Sequence, residues 1–232
     1  MLYKVSILGN DSDEPWEIVT VGGIELEHSQ PNFLLARLAS STTDMNQLAA
    51  KVESALPSLA AIVLFRRLVA LKFHVDRGPG YADIILRYPR HFTGLESFSD
   101  RMQDIPRVRD DIIIHELAKN GSDRAEVLMA DVTLLHALED FIRAVLYPNT
   151  TLASLYKSIE IIQKRLGGRT NFSQIGLSKA SVDYVMERTN REVADERHAP
   201  DNPTSIEPID VKEKRACLER TREVIVKYAV SI

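Results

Sequence analysis

The densest run of polar chemistry in the chain is Glu187-Arg188-Thr189-Asn190-Arg191-Glu192-Val193-Ala194-Asp195-Glu196-Arg197-His198. Within it, Arg191 and His198 are the two residues whose types could act on a phosphodiester. An arginine neutralises phosphate oxygens through two donors, and a histidine exchanges a proton near neutral pH. Together they suffice for metal-independent RNA cleavage by the ribose 2′-hydroxyl. His198 would serve as general base or acid, and Arg191 would stabilise the phosphorane-like charge. Arg188, Asn190 and Arg197 flank the pair as candidate binding residues. The plainer alternative is a solvated helix end. Arg188, Arg191 and Glu192 have the spacing of helical neighbours, and exposed ion pairs stabilise a fold only slightly.

The other reactive residue types form no comparable group. The chain has no Walker A loop, Rossmann glycine fingerprint, nucleophile elbow or HExxH pair. Gly22-Gly23 and Gly167-Gly168 read as a turn and a helix stop rather than phosphate loops. The six histidines, His28, His74, His91, His115, His136 and His198, are scattered. His136 precedes Glu139 and Asp140, but a carboxylate site in a bundle uses Glu-x-x-His on paired helices. The order here is reversed and has no second copy, so His136 reads as a surface or boundary residue. Cys217 is the single cysteine, which excludes an internal disulfide and a cysteine-based metal site. Neither a metal nor a cofactor is expected.

These residues sit in a chain of 232 residues with 44% hydrophobic and 27% charged side chains, and a net charge of −4. That composition is that of a folded soluble protein, and it provides no global basic field for wrapping duplex DNA. The most apolar stretch, residues 59–71, is interrupted by Arg66 and Arg67, whereas a bilayer span needs about 20 apolar residues. No signal peptide is read at the N-terminus. A cytoplasmic protein with no membrane partner is the expectation.

Two kinds of pattern divide the chain. In the first part, Tyr3, Val5 and Ile7 alternate with polar residues, as do residues 16–20. Gly22-Gly23 then suits a tight hairpin into Ile24-Glu25-Leu26-Glu27. Residues 33–38 could form a more buried strand. Asp44 and Gln47 form a capping-box pattern ahead of Met45, Leu48, Ala49, Val52 and Leu56. Ser58 starts a second helix through Phe65. Val69 to Val75 and Tyr81 to Tyr88 read as paired strands around Gly78-Pro79-Gly80. An α+β region with a small antiparallel sheet and helices is therefore expected over residues 1–104.

Residues 105–232 read as an all-α up-down bundle. Pro106 suits a first helical turn, and Asn120-Gly121 suits a stop. One long helix is expected from Ser122 through Val145, broken at Tyr147-Pro148-Asn149. Another follows to Gly167-Gly168, and a third runs from about Ser178 to Asp195. Pro200, Pro203 and Pro208 make a loop. Asp210 caps a last helix through Tyr228. Amphipathic helices with short connections pack as an up-down bundle.

The second half resembles the HEPN superfamily. Three features carry the resemblance: Leu155-Tyr156-Lys157-Ser158-Ile159-Glu160 in a helix after a Tyr-Pro-Asn break; the segment from Asn190 to Pro200, ending Arg197-His198-Ala199-Pro200; and a proline-bearing loop before a closing helix, Lys212 to Tyr228. The resemblance covers roughly residues 107–230 and implies a helical bundle that is often dimeric. It also implies an Arg-x(4–6)-His motif, which Arg191 and His198 match with six intervening residues. Glu192 follows Arg191 in place of the usual asparagine, and Arg197 stands directly before His198. The N-terminal part resembles no family.

Two function classes follow. The first is a HEPN-like binding or interaction protein, a homodimer recognising RNA, a nucleotide or a protein. The alternative is a metal-independent endoribonuclease that pairs two Arg191/His198 sets across a dimer.

Overall fold

The starts and stops of the helices are placed by residues that satisfy backbone groups a helix end leaves unpaired. In the computed structural model of the chain, the residues described are 2–8, 19–21, 24–30, 33–38, 51, 54–55, 58–59, 61–66, 68, 72–78, 81–87, 105–119, 121–147, 150–191 and 210–232. The strands, and Ser122, Asn190 and Arg191, are described by their backbone alone. The chain divides into two units, Met1–Ser97 and Phe98–Ile232.

In the first unit, six strands form one sheet: β1 (Leu2–Leu8), β2 (Val19–Val21), β3 (Ile24–Gln30), β4 (Phe33–Leu38), β5 (Lys72–Gly78) and β6 (Tyr81–Arg87). Their order is β2-β3-β4-β1-β6-β5. Val21 pairs with Ile24 and Gly78 with Tyr81, so each of these two antiparallel pairs closes over two intervening residues. β1 runs antiparallel to β4 but parallel to β6.

The expected α+β class with a small antiparallel sheet is corrected. Among residues described with their side chains, no strand occurs and all regular structure is helical. The backbone strands themselves make a larger, mixed sheet. Parallel pairing requires a long crossover, and alternation within a strand does not say which distant strand lies beside it. Lys51, Ser54, Ala55, Ser58, Leu59 and residues 61–66 are helical, with Leu59 and Ile62 fully buried. The proposed cap Asp44 and its partners Met45, Leu48, Ala49, Val52 and Leu56 lie outside the described residues.

The second unit contains α1 (Ile105–Ile112), α2 (Ser122–Ala130), α3 (Val132–Leu146), α4 (Thr151–Leu166), α5 (Lys179–Arg191) and α6 (Val211–Ser231). α1 carries Pro106 in its first turn and runs directly into a π-helical turn, Ile113–Leu117, closed by the Ala118 N–H on the Ile113 carbonyl at 2.9 Å. The wider turn leaves Ile112 and Ile113 both fully buried while Ile114 faces solvent.

The long helix expected from Ser122 is two helices. Asp131 adopts an extended conformation (φ −82°, ψ 101°), and its carboxylate accepts the Leu134 N–H at 2.7 Å. Aspartate competes with helical hydrogen bonding and favours a cap. Here Tyr228 at the far end of the chain also donates its hydroxyl to both Asp131 oxygens, at 3.1 and 3.3 Å.

α4 ends in a Schellman motif. Gly167 takes φ +82°, its N–H donates to the Lys164 carbonyl, and the Gly168 N–H reaches the Gln163 carbonyl. That pattern satisfies the last carbonyls at a position where a side chain would be strained. A 3₁₀ segment, Arg169–Ile175, follows and buries Phe172. Ser178 accepts the Ser181 N–H at the start of α5, and Asp210 accepts the Lys212 N–H at the start of α6.

Hydrogen bonds fix the helix directions. The Thr151 hydroxyl donates to the Ala144 carbonyl and the Ser158 hydroxyl to the Ala137 carbonyl, each at 2.8 Å. As the α4 number rises by seven the α3 number falls by seven, so the two helices are antiparallel. Arg188 meets Glu213 and Ser181 meets Arg220, which makes α5 and α6 antiparallel in the same way. The Asp131–Tyr228 bond places the start of α3 at the end of α6. α3, α4, α5 and α6 therefore alternate in direction, with α4 and α6 each touching the other three and α1 lying on α3. Seven-residue spacing in both seams is the repeat of side chains that face a partner helix in such a packing. Phe141, Leu138, Leu155, Ile159, Val182, Val185, Ile225 and Tyr228 fill the interior.

Candidate functional site

The sequence places its candidate chemistry around the end of α5, and that helix is held firmly against α6. Ser181, Tyr184 and Arg188 recur at helical spacing and share one face of α5. Glu213 and Arg220 are seven residues apart on α6. The Arg188 Nε and Nη2 donate to Glu213 Oε1 at 3.3 and 3.2 Å, and its Nη1 reaches the Tyr184 carbonyl at 3.5 Å. Its guanidinium carbon lies 3.5 Å from the centre of the Tyr184 ring. Arg220 comes to the same ring from α6, at 4.2 Å, and donates through Nη1 to the Ser181 hydroxyl at 3.3 Å. Two guanidiniums thus meet one aromatic ring, and a carboxylate of α6 pairs with one of them. Stacking of arginine on tyrosine is attractive because the ring face is electron-rich.

Arg188 is thus the one predicted site residue whose side chain is described, and its donors turn to Glu213 of α6 and to the Tyr184 carbonyl of its own helix. Asn190 and Arg191, two and three residues beyond, are the last two residues of α5. Arg197 and His198 lie outside the described residues, so the Arg191–His198 pair is described only at its helical end. Tyr184, Ser181, Glu213 and Arg220 were not singled out from the sequence. Their signal was the seven-residue spacing of Ser181 with Arg188 and of Glu213 with Arg220. It acquires meaning only when the antiparallel register is known.

A second polar cluster lies on α3. Glu139 Oε1 is 2.6 Å from Arg143 Nη2, while its Oε2 is 3.6 Å from His136 Nδ1 and 3.8 Å from Arg109 Nη1 on α1. Burial pushes the Asp140 carboxyl above the usual carboxylate range, against the opposing pull of Arg143 and Lys157. His136 is about half exposed, and the carboxylates are largely matched by arginines, so the cluster joins α1 to α3 as an ion-pair network. Among the described residues, no group of three or more His, Cys, Asp or Glu side chains could hold a metal ion. Cys217 is fully buried in α6. Among the described residues, no helix is long and apolar enough to cross a membrane.

Compared with protein-family models, curated proteins and solved structures, the chain matches none.

Proposed function

We propose that the chain is a HEPN-like binding protein that engages RNA or a nucleotide through the end of α5 and the residues that follow it. The observation that carries this reading is the fixing of α5 to α6 by Arg188, Glu213 and the Tyr184 ring. A helix tied to its neighbour just before Asn190 and Arg191 offers a preorganised platform, and preorganisation lowers the entropic cost of binding. Arg188 serves this platform as a strut, while Arg191, Arg197 and His198 are the residues assigned to the ligand.

The same reading takes the protein to be a cytoplasmic homodimer. Val127, Met129, Val132 and Val230 are exposed where α2, the start of α3 and the end of α6 meet. The Arg124 Nη2 donor on the Ala229 carbonyl at 2.7 Å brings those elements together. Light scattering checks the assembly: a mass of twice 26.1 kDa is expected, and a clean monomer rejects it.

Fluorescence anisotropy with a labelled single-stranded RNA tests the ligand. Wild-type protein should bind with an affinity that falls as salt rises, and Arg191→Ala should weaken it. No binding at low salt rejects an RNA ligand. The same samples in EDTA report on cleavage, and RNA shortened by wild type but not by His198→Ala would turn the reading to the endoribonuclease.

A further inference from the structure

We propose that Arg220, seated with Arg188 on the Tyr184 ring, forms an oxyanion site at the seam of α5 and α6 that takes the phosphate group of a nucleotide or a polynucleotide. The inference deepens the binding reading above by naming a site that the Arg191–His198 segment does not include.

Three features of the cluster point to an anion. The first is its charge. Arg188 and Arg220 both lie within 4.2 Å of one ring centre, and Glu213 pairs with Arg188. Two guanidinium charges against one carboxylate leave one positive charge uncompensated. A net positive charge at partial exposure attracts an anion.

The second is the disposition of donors. Arg188 directs Nε and Nη2 to Glu213 and Nη1 to a backbone carbonyl. Arg220 uses only Nη1, on Ser181, and has no carboxylate partner among the described residues. Its Nε and Nη2 form the edge of the guanidinium fork that matches two oxygens of a phosphate. Ser181 accepts from Arg220, which leaves the hydroxyl proton of Ser181 to donate beside that fork.

The third is preorganisation. An arginine in water loses side-chain freedom when it binds a phosphate. The Tyr184 ring and the Ser181 hydroxyl already hold Arg220 in place, and both contacts leave the outer edge of the fork uncovered by protein hydrogen bonds. Arg188, paired with Glu213, then holds the ring in place rather than serving as a second donor. The shared ligand chemistry is a tetrahedral oxyanion, whether a terminal phosphate of a free nucleotide or a phosphodiester of RNA.

Titration of the full chain with inorganic phosphate, followed by the arginine side-chain NMR signals, tests the site. Phosphate should shift the Arg220 Nε–H signal. Arg220→Ala should weaken phosphate binding about tenfold or more, the loss expected for a charge-assisted hydrogen-bond pair. Arg220→Lys keeps the charge but lacks the fork and should recover little of the loss. Circular dichroism of both variants should match wild type; if Arg220→Ala unfolds, the lysine variant and the wild-type NMR shift decide. An unmoved Arg220 signal, or an unchanged phosphate affinity in a folded Arg220→Ala protein, overturns the proposal. Adenosine monophosphate and a short oligouridine RNA separate the two sources. Weakening of both by Arg220→Ala assigns the phosphodiester as well as the free nucleotide, and weakening of the mononucleotide alone confines the site to free nucleotides. RNA binding that depends on Arg191, together with phosphate and mononucleotide affinities that a folded Arg220→Ala protein leaves unchanged, overturns this site while the binding reading stands.

Discussion

Two seams of the helical unit share one geometry and differ in chemistry. Both the α3–α4 and α5–α6 seams are antiparallel, and both place interacting residues seven apart. The α3–α4 seam is closed by neutral groups: Thr151 and Ser158 are almost or wholly buried, and their hydroxyls donate to carbonyls of Ala144 and Ala137. The α5–α6 seam is closed by charged groups at partial exposure. The Arg188 side chain is 29% exposed and that of Glu213 41%. A buried hydroxyl on a backbone carbonyl spends its one proton inside the fold, and burial keeps its lone pairs from a ligand. A guanidinium on an aromatic ring retains unused donors and charge. The first seam therefore serves packing, and the second has surplus chemistry.

That contrast predicts graded effects on stability. The largest belongs to the dry side. Phe141 of α3 is fully buried, and Phe141→Ala should cost about 3–5 kcal/mol through lost burial and a residual cavity. Urea unfolding followed by circular dichroism measures it. A loss no larger than that of Arg188→Ala would erase the distinction between the seams.

Next comes Ala137→Leu. Ala137 is fully buried and its carbonyl receives the Ser158 hydroxyl. Overpacking there should push the helices apart and cost about 1–3 kcal/mol. Neutral unfolding stability in this variant would show that the seam is looser than its hydrogen bonds imply.

Between the extremes stands the α3–α6 contact, where buried Tyr228 donates to the Asp131 cap. Burial, and then the Asp131 charge, push the Tyr228 hydroxyl above the usual tyrosine value. The folded chain thus holds this proton more tightly than the unfolded chain does. The stabilisation is complete below the unfolded value of about 10 and is lost as pH rises through the higher folded value. Tyr228→Phe should cost about 1–2 kcal/mol near neutral pH and flatten the alkaline loss of stability. Tyr147, also raised by burial, remains in the variant and titrates in the same direction, so the alkaline loss should shrink rather than vanish. An unchanged pH profile would remove Tyr228 from this role.

The smallest effect belongs to the charged seam. Arg188→Ala gives up a partly exposed ion pair and a ring contact, together about 1 kcal/mol. Added salt should narrow the gap from wild type, because exposed charges are screened. A loss several times larger, insensitive to salt, would make this seam as structural as α3–α4.

Much of the helical unit was legible because its signals are local. Gly167-Gly168 stops α4, Asp210 caps α6 and Pro106 sits in the first turn of α1, each for a reason contained within one helical turn. The polar run at the end of α5 was legible too, but only as residue types. Arg188 could be read from spacing as a pair for its own helix neighbours, yet its carboxylate partner is Glu213, 25 residues away. Tyr184 and Arg220 looked like ordinary helix residues because the contact between them depends on the register of two separate helices.

By itself the sequence determined where most of the described helices of the second unit begin or end, because backbone satisfaction and glycine's access to positive φ are properties of neighbouring residues. Tertiary structure decided the break at Asp131, where the hydroxyl of Tyr228 reaches the capping carboxylate from the far end of the chain. It decided the π turn, which buries Ile112 and Ile113 together. It decided that β1 lies parallel to β6, since strand alternation carries no information about distant pairing. It also decided that Arg188 is engaged while Arg220 keeps donors to spare, because a side chain's partners depend on which helix comes to lie beside its own.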